Sequence, residues 1–147
     1  MANRTYSFQD TKMSITGPGG SFSIKDGSDE GGLTISFRDD KSTLTMGADG
    51  SWMHSLHAAK DGTVTVRLLK NSPVNAILSG LYNFQQTSSK LWGQNTLVVT
   101  SSVGDVITCT GGAFKKAPDV TYAKEGQAME WTFDFGSVSE VLAASVL

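Results

Sequence analysis

The sequence predicts a mainly β fold with one flanking helix, and three observations support this prediction. Glycine accounts for 16 of the 147 residues, about 11% against an average of about 7%, and the glycines cluster where a chain would turn. Between the clusters, short runs alternate apolar and polar residues, as strands with one buried face do. A single segment has the spacing of an amphipathic helix. We therefore expect an antiparallel β-sandwich or barrel.

Three runs give the clearest strand predictions. LTISF, residues 33–37, and TVTVRL, residues 63–68, alternate apolar residues with serine, threonine or arginine. MEWTFDF, residues 129–135, alternates most cleanly, which predicts one buried and one polar face. The predicted core face carries Met129, Trp131, Phe133 and Phe135, and the polar face carries Glu130, Thr132 and Asp134.

The segment KNSPVNAILSGLYNFQQTSS predicts the helix, over residues 73–87. Pro73 suits the first helical position, where a missing backbone N–H costs nothing. Apolar residues then recur at the spacing of one helix face. The predicted core face of the helix consists of Val74, Ile77, Leu78, Leu81 and Tyr82.

The two histidines, His54 and His57, raise the question of a metal or acid–base site. On a helix they would share one face. The turn AAKDG and the strand TVTVRLL follow them, however, which predicts a β-hairpin. Residues an odd number apart on a strand point to opposite faces, and no third ligand of the HExxH kind lies nearby. We predict no metal site here.

Other motifs give no site either. DGSDEGG resembles the start of a calcium loop, but Phe37 occupies the twelfth position, where a bidentate glutamate belongs. The glycine-rich turns lack the Lys-Ser/Thr of a phosphate-binding loop, and there is no Gly-x-Ser-x-Gly motif. Cys109 lies in a β-branched run and is expected to be a small buried hydrophobe. We predict no enzyme, no catalytic residue and no cofactor.

The charge balance and the length of the chain narrow the class of protein further. Lys and Arg number 12 against 14 Asp and Glu, for a net charge of −2, so no basic field indicates nucleic-acid binding. No apolar run is long enough to cross a membrane. We expect one domain over residues 1–147, made in the cytoplasm, with a short N-terminal arm and C-terminal tail used in assembly. A binding module and a structural protein that works by assembly both remain open.

A resemblance favours the second class. SITGPGGSFSI, GADGSWMHSLHAAKDGTVTVRLLKNSPVNAILSGLYNFQ, WGQN and AFKKAPDVTYAKEGQAMEW resemble structural proteins of contractile-tailed bacteriophages, over residue 6 to about residue 141. The family is similar to tail tube proteins. It implies a β-sandwich or barrel with one helix, six copies in a ring, and rings stacked into a tube for DNA passage. The implied partners are other copies, the sheath and baseplate or terminator proteins, in the virion tail.

The resemblance also implies contact sites. In the tube fold, a hairpin extension reaches the next ring, and here we assign that contact to the loop of Lys25, Asp26, Gly27, Ser28, Asp29, Glu30, Gly31 and Gly32. Glu130, Thr132 and Asp134 are candidates to face the lumen. A lumen of acidic and hydroxyl side chains would repel DNA phosphates, the reverse of a basic groove.

Alternatives remain within and outside this family. One is a tail terminator or baseplate protein of related fold, and another is a monomeric β-sandwich that binds sugar or protein. A sugar-binding module should expose aromatic side chains. The alternation places Trp52 and Trp131 in the core and leaves Trp92 exposed.

Overall fold

A computed structural model describes residues 11–24, 28–101 and 104–142. Most of the predicted N-terminal arm and C-terminal tail lies outside these residues. The described chain forms one helix and several strands. In chain order they are β1 (Thr11–Gly17), β2 (Gly20–Ile24), β3 (Ser28–Phe37), β4 (Ser42–Met46), β5 (Trp52–Leu56), β6 (Gly62–Leu68), α1 (Val74–Gln85), β7 (Asn95–Ser101), β8 (Val106–Lys116) and β9 (Met129–Val141).

The strands form two sheets. Seven of them make one antiparallel sheet in the order β2-β1-β7-β8-β9-β6-β3, and β4 and β5 make a separate two-stranded sheet. This confirms the prediction of a mainly β fold with one helix. The large sheet is sandwich-like and not a closed barrel, because β2 and β3 are its two edge strands in the described part of the chain.

The long strands β8 and β9 join the two halves of the large sheet. β9 pairs with β6 over its first half and with β8 over most of its length. Gly111 interrupts the regular pairing with a φ of +66°, a left-handed conformation that favours glycine. At the sheet edges, four peptide units join Ile24 of β2 to Ser28 of β3, so these residues lie within about 14 Å of each other. The sheet must therefore curl.

The core lies between one face of the large sheet and α1. Trp131, Phe133 and Phe135 of β9 are at most 2% exposed, which confirms the alternation that predicted them as core. Phe114 of β8 packs against Phe133 with ring centroids 4.7 Å apart. The prediction for Trp92 was wrong, because this side chain packs against the core beside Tyr82 and Phe114.

The helix covers this core with a face slightly different from the predicted one. Val74, Leu78 and Leu81 are buried, and Tyr82 packs edge-on against Phe114. Ile77 is 45% exposed, so its placement on the core face is corrected.

Two polar side chains explain the shift. Asn75 and Gln85 are buried on the inward side of α1, which turns Ile77 towards the surface. Asn75 accepts a hydrogen bond from Trp131 Nε1 at 3.0 Å and donates to the Leu69 carbonyl at 2.8 Å. Burial is compatible with an amide only when such partners are present. The face of α1 that is buried is thus determined by the hydrogen bonds of its amides as well as by the spacing of its apolar residues.

Candidate assembly surfaces

The sheet face opposite the core carries the residues predicted to face a lumen. Thr63, Thr65 and Arg67 of β6 lie directly across from Asp134, Thr132 and Glu130 of β9, in that order. The Thr63 hydroxyl donates to Asp134 Oδ1 at 3.0 Å. Because successive strand residues alternate in direction, this row points away from the buried face that Phe133 and Phe135 occupy. The sequence prediction of one polar face on β9 holds.

Hydroxyl side chains continue this polar face across the large sheet. The register of the neighbouring strands places on it Ser14, Thr16, Thr34, Ser36, Thr96, Thr100, Thr108 and Thr110. Three cationic side chains share this face with Glu130 and Asp134: Arg67 lies across from Glu130, Lys116 across from Thr132 and Lys12 across from Thr100. The surface is therefore rich in hydroxyls, carries both cationic and acidic side chains, and is less acidic than the sequence of β9 alone suggested.

The β4–β5 hairpin is the most exposed element of the described chain. Its two strands pair only with each other in register Met46↔Trp52, Leu44↔His54 and Ser42↔Leu56. These six residues share one face. Four of them are large apolar side chains with more than half of their surface exposed, namely Leu44, Met46, Trp52 and Leu56.

Hydrogen bonds close this hairpin at its tip and at its root. At the tip, the Gly47 amide donates to the Ser51 carbonyl at 2.6 Å, and Asp49 Oδ1 accepts from the Ser51 hydroxyl and amide. These bonds hold the pKa of Asp49 below its ordinary value, the hydroxyl contributing most. At the root, the His57 amide donates to the Lys41 carbonyl at 2.9 Å. These bonds hold β4 and β5 in one register, so the four large apolar side chains stay on one face of the hairpin.

Two sequence predictions are corrected at this hairpin. Trp52 is 69% exposed and not part of the core. The strand that carries His54 pairs with β4, whereas β6 pairs with β3 and β9. Alternation along β5 indicated an apolar face correctly, but no described element of the same chain covers it. The sequence analysis did not predict β4, the strand before the Gly47–Ser51 turn, which is the strand that pairs with β5.

The histidines lie on different faces of this hairpin, as predicted. His54 is in register with Leu44, and His57 Nε2 lies 2.8 Å from the Thr43 hydroxyl. Among the residues that the structure describes, no three His, Cys, Asp or Glu side chains come close enough to hold a metal ion.

The segment assigned to inter-ring contact is only partly a loop. Ser28 to Gly32 belong to β3, where the pairing with β6 is irregular between Ser28 and Leu33. Lys25, Asp26 and Gly27 lie outside the described residues. The sequence interpretation of a flexible hairpin tip is corrected, because this segment links two edge strands that do not pair with each other.

The outward face of α1 contributes a further surface. A groove of about 600 Å³ lies between this face and the β1–β2 turn, lined by Gly19, Gly20, Ile77, Gly80, Leu81 and Phe84 among others. Within the described ranges, no helix has the length and apolar character that a membrane span requires.

The open antiparallel sheet with one helix on its apolar face is similar in fold to chains from contractile injection systems. A chain in the cryo-EM structure of an extracellular contractile injection system, the PVC sheath-tube complex in its extended state, has a TM-score of 0.59 and 9% identity, covering 93% of this chain and 91% of that chain. A chain from the anti-feeding prophage tube terminating cap scores 0.58 at 12% identity, with 97% and 95% covered. These likenesses show the fold.

The family follows from the sequence. The model of the bacteriophage PhiTE tail tube protein family matches residues 2–143, and the chain belongs to this family. Its members and the matched structures are structural tube proteins and not enzymes. The search of curated proteins gave no match. A chain from the anti-feeding prophage baseplate is also similar, with a TM-score of 0.54, 10% identity, and 99% of this chain and 100% of that chain covered.

Proposed function

We propose that this protein is the repeating subunit of a phage tail tube. Six copies close into a ring, rings stack into a tube, and DNA passes through the channel without specific binding. The proposal is carried by the open seven-stranded sheet, whose two edge strands each have an unpaired side in the described part of the chain and whose outer face is rich in hydroxyls, in a chain of the tail tube family.

The sheet edges supply the contact that closes the ring. In the described part of the chain, β2 and β3 each have one unpaired side, and an unpaired strand side invites pairing with another chain. If β2 of one copy pairs with β3 of the next, both edges are removed. Such a head-to-tail contact closes when the rotation between copies divides a full turn.

The polar face lines the channel in this proposal, with Glu130, Thr132 and Asp134 directed to the lumen. DNA binds proteins mainly through cationic contacts to its phosphates. The cations Lys12, Lys116 and Arg67 lie on three strands that are not neighbours in the sheet and have acidic or hydroxyl residues across from them, so this face has no continuous basic stripe that would hold phosphate. DNA can therefore slide past it.

Other contacts extend the assembly. The segment from Lys25 to Gly32 links both edge strands, so we retain it as a contact between copies, now beside the ring-closing edges. The N-terminal arm and C-terminal tail, the sheath, and the baseplate or terminator proteins complete the proposed contacts. The tube would assemble in the host cytoplasm and remain in the virion tail.

The oligomeric state tests this function directly. We expect purified protein at increasing concentration to form six-membered rings or hollow tubes in negative-stain electron microscopy, with matching masses by light scattering. Single rings that never stack would support a terminator role, for which the matched cap structure is a precedent. A monomer at every concentration would contradict the proposal and favour a binding module.

A proline substitution tests the edge contact. In the β1–β2 hairpin, Gly17 and Gly20 flank a two-residue turn, and such flanking residues exchange both hydrogen bonds. Every second residue of β2, including Ser23, then directs its N–H to the open side. Ser23→Pro should keep the monomer folded and abolish rings, because proline removes that donor. Ser23→Ala, which keeps the N–H, should assemble normally, and equal assembly of both variants would exclude this edge.

A further inference from the structure

The loop between β8 and β9 is much longer than its two strands require. Twelve residues, 117–128, separate Lys116 from Met129, although Lys116 already lies across from Thr132 in the antiparallel register. Antiparallel neighbours are commonly joined by about two to five residues. None of the twelve belongs to a helix or strand, and ten of them are exposed. The length of this loop therefore has a reason other than strand connection.

Lys70 holds the middle of the loop. Its Nζ donates a hydrogen bond to the Thr121 carbonyl and lies 3.9 Å from the centre of the Tyr122 ring. A cation over an aromatic face is attracted by the quadrupole of the ring. Gly126 passes beside the Lys70 stem, with 4.0 Å between Lys70 Cβ and the position that a Cβ of Gly126 would occupy. Within the described ranges, the hydrogen bonds and ring contacts of residues 117–128 are all made with Lys70.

The backbone of Lys70 is itself attached to the core. The buried Asn75 amide donates to the Leu69 carbonyl at 2.8 Å and to the Lys70 carbonyl at 3.3 Å. The same side chain accepts a hydrogen bond from Trp131 Nε1 at 3.0 Å. The turn between β6 and α1 is thus tied to the core, whereas no residue of the loop is buried. Lys70 is therefore a fixed anchor for a segment that has little packing of its own.

A cleft of about 680 Å³ lies between the loop and this turn. The end of the loop forms one wall of the cleft, and the turn with the end of β6 forms the other. The lining residues are Arg67, Leu69, Lys70, Asn71, Gly126, Gln127 and Ala128. Movement of the loop away from Lys70 would widen this cleft.

We propose that residues 117–128 form a strap, which Lys70 holds closed over the β6–α1 turn and which opens when the ammonium loses its two partners. The structure contains the closed position. In the open position the strap remains attached at Lys116 and Met129, and about six residues on each side of its tip allow it to reach up to about 20 Å from the sheet. Val120 and Tyr122, which are 54% and 88% exposed, would move with the tip. This device operates within a single chain and is independent of the proposed tube function.

The contacts of Lys70 are strong enough to favour the closed position and too weak to make it permanent. An exposed cation–π contact changes the ratio of closed to open chains about two- to fivefold. A hydrogen bond from an ammonium to a carbonyl adds to this effect, because charged donors bind more strongly than neutral ones. The strap therefore moves between two positions in response to a single charge.

Distance measurements between two spin labels test the strap. Labels on Ala123→Cys, at the tip of the loop, and on Ser79→Cys, on the exposed side of α1, report the position of the loop relative to the helix. Cys109 is buried and should remain unlabelled. Double electron–electron resonance on dilute protein should give one main distance for the closed strap. In the same background, Lys70→Met keeps the apolar stem and removes both contacts, and it should raise the open fraction at least about fivefold.

Matched variants separate the charge of Lys70 from its packing. Lys70→Arg should restore the closed distance, because a guanidinium also donates hydrogen bonds and stacks on aromatic rings. Tyr122→Phe keeps the ring and should resemble the wild type, whereas Tyr122→Leu should raise the open fraction about two- to fivefold. Lys124→Met removes an equal charge from an exposed residue of the loop itself and should change nothing.

Two outcomes would overturn the strap. One is the same distance distribution in Lys70→Met, Tyr122→Leu and the wild type. The other is equal opening by Lys70→Met and Lys70→Arg, which would assign the loop position to packing of the lysine stem. An unchanged near-ultraviolet circular dichroism spectrum should show that the core around Trp131 is intact in each variant. Because the labels report on single chains, absence of tubes from the wild type would contradict the proposed function and leave these results unaffected.

Discussion

Gln85 and Asn95 form a reciprocal pair of amide hydrogen bonds, each 2.8 Å long, between the end of α1 and the start of β7. Both side chains are fully buried. Gln85 Nε2 also donates to the Pro18 carbonyl at 3.0 Å. The pair therefore holds the C-terminal end of α1 against the β1–β2 turn, which forms one wall of the groove beside the helix.

Removing one member of this pair should destabilise the protein. Gln85→Met leaves the buried Asn95 amide without its partner, and a buried unsatisfied polar group costs about 1–3 kcal/mol. We expect that loss in urea unfolding. Gln86→Met, at an exposed neighbouring site, should change stability by less than about 0.5 kcal/mol. Equal stability of Gln85→Met and wild type would show that the amide pair contributes nothing.

The corrected helix face can be tested with two truncations. Leu78 is fully buried and Ile77 is 45% exposed. Leu78→Ala should lower the free energy of unfolding by about 2–5 kcal/mol, as buried leucine truncations do. Ile77→Ala should cost less than about 1 kcal/mol. Similar losses at both sites in thermal and urea unfolding would restore the original prediction.

Two glycines should respond in opposite ways to alanine. A Cβ at Gly112 would lie 2.2 Å from Phe135 Cε1 in the core, so Gly112→Ala must displace a buried ring. We expect a loss of about 1–3 kcal/mol from overpacking. Gly80 lies in α1 with open space around it, so Gly80→Ala should stabilise the helix by up to about 1 kcal/mol. Calorimetry of both variants would check the signs.

Periodicity predicted what each face is made of, but not what covers it. The alternation on β9 correctly separated Trp131 from Thr132, because α1 of the same chain packs on the apolar side. The same alternation on β5 placed Trp52 in the core, where the described chain provides no cover. The alternation in one strand shows that one of its faces is apolar, and it does not reveal which surface covers that face.

Long-range pairing and buried amides were beyond the sequence reading. The strand after the histidines was expected to pair with them, yet β6 pairs with β3 and β9. Strand pairing depends on contacts far apart in the chain. Asn75 and Gln85 look like surface residues by composition, and only their partners Trp131 and Asn95 make burial favourable.

Cys109 should make stability fall at alkaline pH. Burial raises the pKa of this thiol from 9.0 to about 11, because the thiolate is poorly solvated in the core. Above about pH 9 the unfolded chain loses this proton while the folded chain retains it, so stability decreases between pH 9 and about pH 11. Cys109→Ala should show a smaller decrease over this range in urea unfolding. Rapid modification of native Cys109 by a maleimide at pH 8 would contradict its burial.

The polar face should become a DNA-binding surface when cations are added to it. Thr132 lies at the centre of the row that we direct to the lumen, across from Thr65, and it is not part of the core. Thr132→Lys should therefore leave folding and tube formation intact. It would add one positive charge per subunit along the channel, where phosphate contacts generate affinity that falls steeply between about 50 and 200 mM salt. Tubes of this variant assembled with DNA should retain the DNA at low salt and protect it from nuclease.

Asn83→Lys is the matched control, because it adds the same charge on the exposed side of α1. DNA bound by those tubes should therefore remain nuclease-sensitive. Protection by Asn83→Lys tubes, with none by Thr132→Lys tubes, would place the helix and not the hydroxyl face along the channel.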